Sequence, residues 1–207
     1  MKIGFIGTGN MGSAMIKGLV TSEYVSGSDI NIFDVNVEKS RELSEKYNVK
    51  PLQNEVEVVD NSDVTVLSVK PNIYNSVLEK IKARIDENKI IIVIAAGISI
   101  ESVENIAGKD KKVVRIMPNT PAQVLEGMTA VTFNGNVKEE EKKVVFGILD
   151  SFGKSIEIEE KLMHTFTGIA GSLPAYVYMF MEALADGGVL ELSLIHISEP
   201  TRQAEIS

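Results

Sequence analysis

The residues best suited to chemistry stand at the start of the chain: Gly7, Gly9 and Gly12, in the run Ile6-Gly7-Thr8-Gly9-Asn10-Met11-Gly12. A diphosphate needs backbone N–H groups at a helix N-terminus, with no Cβ in the path of its approach. In this G-x-G-x-x-G spacing Gly7 permits the tight turn, Gly9 admits the phosphates, and Gly12 lets the helix lie against the preceding strand. Asp34 belongs with them. It lies 22 residues beyond Gly12 and closes an apolar segment, where a carboxylate accepts hydrogen bonds from a ribose hydroxyl. Three glycines alone would also fit a strand–helix turn that binds no nucleotide. Their context favours a dinucleotide.

That context is an alternation of strands and helices. Lys2 to Ile6 reads as a short buried strand, and from Asn10 onward Met11, Ala14, Met15, Gly18 and Leu19 recur at helical spacing. Asp29 to Phe33 reads as the second strand. A charged helix over Val37–Tyr47, a short strand near Val49 and a short helix over residues 53–60 follow. Asp63–Val69 is a buried strand stopped by Lys70-Pro71, and a helix from Asn72 to Ile85 leads to the strand Ile90–Ala96. Ile100–Ile106 reads as helix and Lys112–Ile116 as strand. Such alternation specifies an α/β fold: a Rossmann-type doubly wound, mostly parallel sheet with helices on both faces. Right-handed crossovers then gather Gly7, Asp34, Lys70, Gly97 and Met117 at one edge, the edge where ligands bind. Two further strands, Gly127–Phe133 and Gly153–Ile158, flank a helix at Val137–Ser151. The dinucleotide domain is expected to span residues 1–160. Beyond it His164–Leu190 reads as a long apolar helix, interrupted at Gly171-Ser172-Leu173-Pro174, which wants a partner.

Composition sets the outer limits. Hydrophobic residues make up 44% of the 207 and charged residues 24%, enough for a substantial core. The net charge of −8 argues against a nucleic-acid surface and leaves an anionic ligand dependent on local donors. Cysteine is absent, so disulfides and thiolate metal sites are excluded and no metal is expected. No apolar run reaches the roughly 18 residues that cross a bilayer, and no signal peptide precedes the first strand. The expected setting is the cytoplasm, away from membranes.

Several runs together carry a family resemblance. Ile3–Gly12, Ser68-Val69-Lys70-Pro71, Ala95-Ala96-Gly97, Arg115-Ile116-Met117-Pro118-Asn119-Thr120-Pro121, Thr167–Tyr176 and Ala183-Leu184-Ala185-Asp186-Gly187-Gly188 resemble pyrroline-5-carboxylate reductase. They lie in family order from residue 1 to about residue 191, and the last segments are far more specific than the glycine fingerprint. The resemblance implies reduction of 1-pyrroline-5-carboxylate to L-proline with NAD(P)H, by a homo-oligomer. It implies cofactor contacts from Ile6, Gly7, Thr8, Gly9, Asn10, Met11 and Gly12 at the diphosphate, and from Asn54 at the adenosine end. Ser68, Val69, Lys70 and Pro71 would line the cofactor, with Ala95, Ala96 and Gly97 near the nicotinamide. Lys70 also suits an exposed strand end. Asn119 and Thr120, between two prolines, fit either a rigid polar turn or a cofactor-facing role. Asp34 would repel a 2′-phosphate, and no arginine follows closely, so NADH is favoured over NADPH although Lys39 is near.

Other residues carry less. His164 reads as an ordinary helix-start histidine, Met163, Met179 and Met181 as core filler, and Glu139–Lys143 as a solvated helix face; no catalytic residue is assigned. Leu173 and Ala170 depart from the small residue and the serine usual in the family. Residues 161–191 read as the opening helix of a dimerisation domain. Leu192–Arg202 resembles translated sequencing-adaptor sequence, so 192–207 is expected to be non-native and His196 takes no role. The family's Ser-Pro-Gly-Gly-Thr-Thr-type substrate loop has no counterpart. Two alternatives therefore stand beside the reductase: a non-catalytic dinucleotide-binding module, and a related imine or β-hydroxyacid oxidoreductase. The absence of lysine from 165–191 disfavours the latter.

Overall fold

The computed structural model describes residues 1–94 and 97–190. Ala95 and Ala96, and the tail 192–207 with His196, lie outside the described residues. An eight-stranded sheet organises the chain, in the order β3-β2-β1-β4-β5-β6-β7-β8. The strands are β1 (Ile3–Ile6), β2 (Ile30–Phe33), β3 (Lys50–Pro51), β4 (Val64–Leu67), β5 (Ile90–Ile94), β6 (Lys112–Met117), β7 (Gly127–Phe133) and β8 (Gly153–Glu157). The first six are parallel, whereas β7 runs antiparallel to β6 and β8 parallel to β7. The parallel strands therefore end together at Ile6, Phe33, Leu67, Ile94 and Met117, as the alternation predicts.

Strand order reverses beside β1: β2 lies on one side of it and β4 on the other. This switch opens a crevice at the strand ends. Helices cover both faces. Helices α1 (Asn10–Thr21), α2 (Val37–Tyr47) and α6 (Glu139–Asp150) share one core with Ile3, Phe5, Ile90 and Ile92. Helices α3 (Glu55–Asp60), α4 (Tyr74–Ile81) and α5 (Ile100–Ala107) share the other with Ile6, Leu67, Ile91 and Val93. The continuous β-branched run of β5 is explained by this arrangement, since successive side chains feed opposite cores.

After β8 the chain forms a short helix α7 (Met163–Phe166), a π-helical turn (Thr167–Gly171) and α8 (Leu173–Leu190). The break falls where the Gly-Ser-Leu-Pro run predicts one. Met163 is fully buried, but Met179 is 66% exposed, which corrects its reading as core filler. Tyr176, Phe180 and Leu184 are exposed as well. Helical spacing marks an apolar face but does not say whether the covering surface lies in the same chain. Among the described residues no helix is long and apolar enough to cross a membrane.

Candidate functional site

The glycine turn joins β1 to α1 at the point where strand order reverses. Gly7 has φ +93°, a conformation that side chains resist. A Cβ on Gly12 would sit 2.6 Å from the Gly7 carbonyl oxygen and 2.8 Å from Ser68 Oγ, so helix and turn touch only because it is absent. At Gly9 a Cβ would meet nothing within 4 Å; that side of the turn is open. Helix α1 has no side-chain cap and no acid in its first turn. The N–H groups of Asn10, Met11 and Gly12, which a helix leaves without partners, are therefore left for an anion. These features fit a diphosphate.

Two of the predicted diphosphate contacts are already engaged. The Gly7 N–H donates to the Phe33 carbonyl at 2.8 Å. Thr8 is fully buried, and its N–H and hydroxyl both donate to Asp34 Oδ2, at 2.6 and 2.9 Å. Asp34 Oδ1 accepts from the Asn36 N–H at 2.8 Å. Burial by itself would raise the Asp34 carboxyl, but the Asn36 and Thr8 amides, the Thr8 hydroxyl and the nearby Lys39 charge outweigh it and hold the group below the ordinary carboxylate range. Asp34 is thus ionised at neutral pH.

Beside this turn lies a cavity of about 370 Å³, lined by Ile6, Gly7, Gly9, Asp34, Ser68, Val69 and Lys70 among the expected residues. Phe33, Val35, Lys39, Glu55, Ile73 and Val77 complete it. Ser68 fastens the second strand end: its hydroxyl donates to the Gly7 carbonyl at 2.6 Å, and its N–H to the Ile6 carbonyl at 2.9 Å. Lys70 and Pro71 are exposed, and Lys70 has no ion-pair partner among the described residues. Asn54 caps α3, accepting from the Glu57 N–H at 2.9 Å, with Glu55 beside it paired to Lys80 at 2.8 Å.

Asn119 and Thr120 lie apart from this cavity. Asn119 accepts from the Met128 N–H at 2.8 Å and donates to the Ala170 carbonyl at 3.3 Å, tying the Met-Pro-Asn-Thr-Pro turn to the π-helical segment. It lines a separate, apolar cavity of about 400 Å³ with Pro121, Met128, Ile169, Leu173 and Val177. Thr120 is exposed, and Gly97 has φ +84° with open space where a Cβ would be. His164 is exposed at the start of α7. Sequence reading missed Tyr74. Its buried hydroxyl donates to the Leu67 carbonyl and accepts from the Ile94 N–H at 2.9 Å, pinning the ends of β4 and β5. The apolar spacing of α4 signals only a core aromatic there.

Sheet order, strand-end crevice and uncapped glycine turn define a dinucleotide-binding protein of the Rossmann type. The chain belongs to the pyrroline-5-carboxylate reductase family. It is 39% identical over 189 residues to pyrroline-5-carboxylate reductase of Escherichia coli strain K12, covering 91% of this chain and 70% of that one. The solved pyrroline-5-carboxylate reductase of Coxiella burnetii matches with a TM-score of 0.91 and 30% identity, over 99% of this chain and 77% of that one. The Plasmodium falciparum enzyme, solved with NADP bound, matches with a TM-score of 0.87 and 34% identity, over 99% and 75%. Residues 2–97 match the model for NADP oxidoreductase, coenzyme F420-dependent, and 160–193 that for pyrroline-5-carboxylate reductase dimerisation.

Proposed function

We propose that the chain reduces 1-pyrroline-5-carboxylate to L-proline with NAD(P)H, residues 1–160 holding the cofactor and 161–191 opening a helical dimerisation and substrate domain. The observation that carries this reading is the uncapped start of α1, with the amides of Asn10 to Gly12 beside the ionised Asp34. When bound, the nicotinamide supplies the hydride that the imine carbon accepts. The residues of this chain bind and orient. The α1 amides take the diphosphate, and Asp34 takes a ribose hydroxyl. Ser68, Val69 and Lys70 wall the cofactor groove. The Asn119 turn borders a separate apolar cavity beside the π-helical segment.

The test is NADH oxidation in the presence of 1-pyrroline-5-carboxylate, run beside a binding titration of NADH alone. Substrate-dependent oxidation is expected. Binding without turnover would leave a dinucleotide-binding module, and no binding would overturn the reading.

The preferred cofactor is NADH. A carboxylate offers about four acceptor positions, of which Asp34 spends three on Thr8 and Asn36, leaving one on Oδ1 for a ribose hydroxyl. A 2′-phosphate would meet the same negative charge, with Lys39 and Lys70 as the cations in the cavity wall. The expected outcome is a kcat/KM for NADH about tenfold above that for NADPH, a difference of about 1.4 kcal/mol; a clear NADPH advantage would refute it.

The exposed apolar face of α8 supports a homo-oligomer built through the dimerisation segment. Light scattering should give a mass of at least two chains, and a monomer at micromolar concentration would count against this.

A further inference from the structure

Thr8, between the first two glycines of the fingerprint, has no polar group left for a ligand. Its N–H and hydroxyl go to Asp34 Oδ2, and its carbonyl accepts from the Ser13 hydroxyl at 2.8 Å. The preceding amide, of Gly7, is committed to the carbonyl of Phe33, the residue before Asp34. Two consecutive amides therefore fasten the turn to the end of β2. The first amide open to a phosphate is that of Gly9.

We propose that Thr8 and Asp34 form a clasp that presets the diphosphate loop, making Thr8 a positioning residue and giving Asp34 a second duty besides the ribose. This rests on the placement of a dinucleotide at the start of α1, and it deepens that reading. The carboxylate oxygens divide the work. Oδ2 holds the loop through two donors, while Oδ1, with only the Asn36 N–H on it, has capacity left for the ribose. Ribose identity and diphosphate affinity are thereby coupled through one side chain. An asparagine at 34 cannot keep both the Thr8 and the Asn36 bonds. If its oxygen accepts from Thr8, its NH2 opposes the Asn36 N–H, donor against donor. Exchanging this acid to favour NADPH would therefore loosen the loop that either nucleotide needs.

The test compares the dissociation constants of NADH and NADPH for the unaltered protein, Thr8→Val, Thr8→Ser and Asp34→Asn. Thr8→Val keeps the charge at 34 and the shape at 8, so NADH and NADPH should weaken by the same factor, about tenfold. Thr8→Ser restores the hydroxyl and should stay within about twofold of the unaltered protein. Asp34→Asn loosens the loop for both nucleotides but also removes the charge facing a 2′-phosphate, so NADH should weaken by at least about tenfold and NADPH by less. Unchanged affinities in Thr8→Val would overturn the clasp, as would a Thr8→Val variant that weakens only one of the two nucleotides. Failure of the unaltered protein to bind either nucleotide would sink the dinucleotide reading itself, and the clasp with it. Amide hydrogen exchange on the unaltered protein is independent of variant folding. The Thr8 amide should be protected before any nucleotide is added, and those of Gly9 and Asn10 only after NADH. A Thr8 amide that exchanges as fast as that of Gly9 in the free protein would overturn the proposal.

Discussion

Tyr74 does with one hydroxyl what the glycine turn does with backbone: it fixes strand ends next to the crevice. Burial pushes its ionisation well above the ordinary phenol range, with the Ile94 N–H only partly offsetting this, so it stays neutral and serves as both donor and acceptor. Tyr74→Phe leaves the Leu67 carbonyl and the Ile94 N–H without that partner. The expected cost is about 1–3 kcal/mol in urea unfolding, and an unchanged midpoint would refute the role. This residue also marks how far sequence reading reaches. Gly7 and Gly12 declare themselves because the turn that needs them is local, and Asp34 because it closes an apolar strand at the spacing of a ribose-binding acid. Tyr74 meets a strand 20 residues later, and Thr8 meets an acid 26 residues away, so neither pairing has a local signature. Thr8 consequently reads in sequence as a ligand contact, although its polar groups face inward.

Between elements, Glu160 forms a joint just past the sheet. Its Oε1 accepts from Arg115 Nη1 at 2.9 Å and from the Ile100 N–H at 2.8 Å, linking the segment after β8 to β6 and to the start of α5. Arg115 is buried, so removing its partner strands a cation away from water. Glu160 itself is part-exposed, so Glu160→Ala should cost about 1–3 kcal/mol of unfolding free energy. The double variant Arg115→Met/Glu160→Leu should recover most of it, and full stability in the single variant would show the pair to be incidental. The elements themselves are readable from the chain because parallel strands buried on both faces are apolar throughout, as in Ile3–Ile6 and Ile90–Ile94. The long-range ties are not, since Glu160 and Arg115 each look like ordinary surface charges in isolation. The reversal of β7 against β6 follows from the short connection through Pro121, too brief for a crossover back to the parallel direction.

Across the whole molecule, the contrast is between a sheet filled on both faces and a terminal helix in which Ala185 is the buried residue. Tyr176, Phe180 and Leu184 lie at helical spacing on that exposed helix, so Phe180→Asp should lower the mass seen in light scattering without weakening NADH binding. An unchanged assembly would place the interface elsewhere. The run of apolar residues in β5 has a different consequence. Ile90 and Ile92 belong to one layer of side chains and Ile91 and Val93 to the other, so loss of either set of helices would expose half the side chains of that strand to water. Heating therefore confronts the nucleotide-holding body with an all-or-none choice: its two sides melt together or not at all.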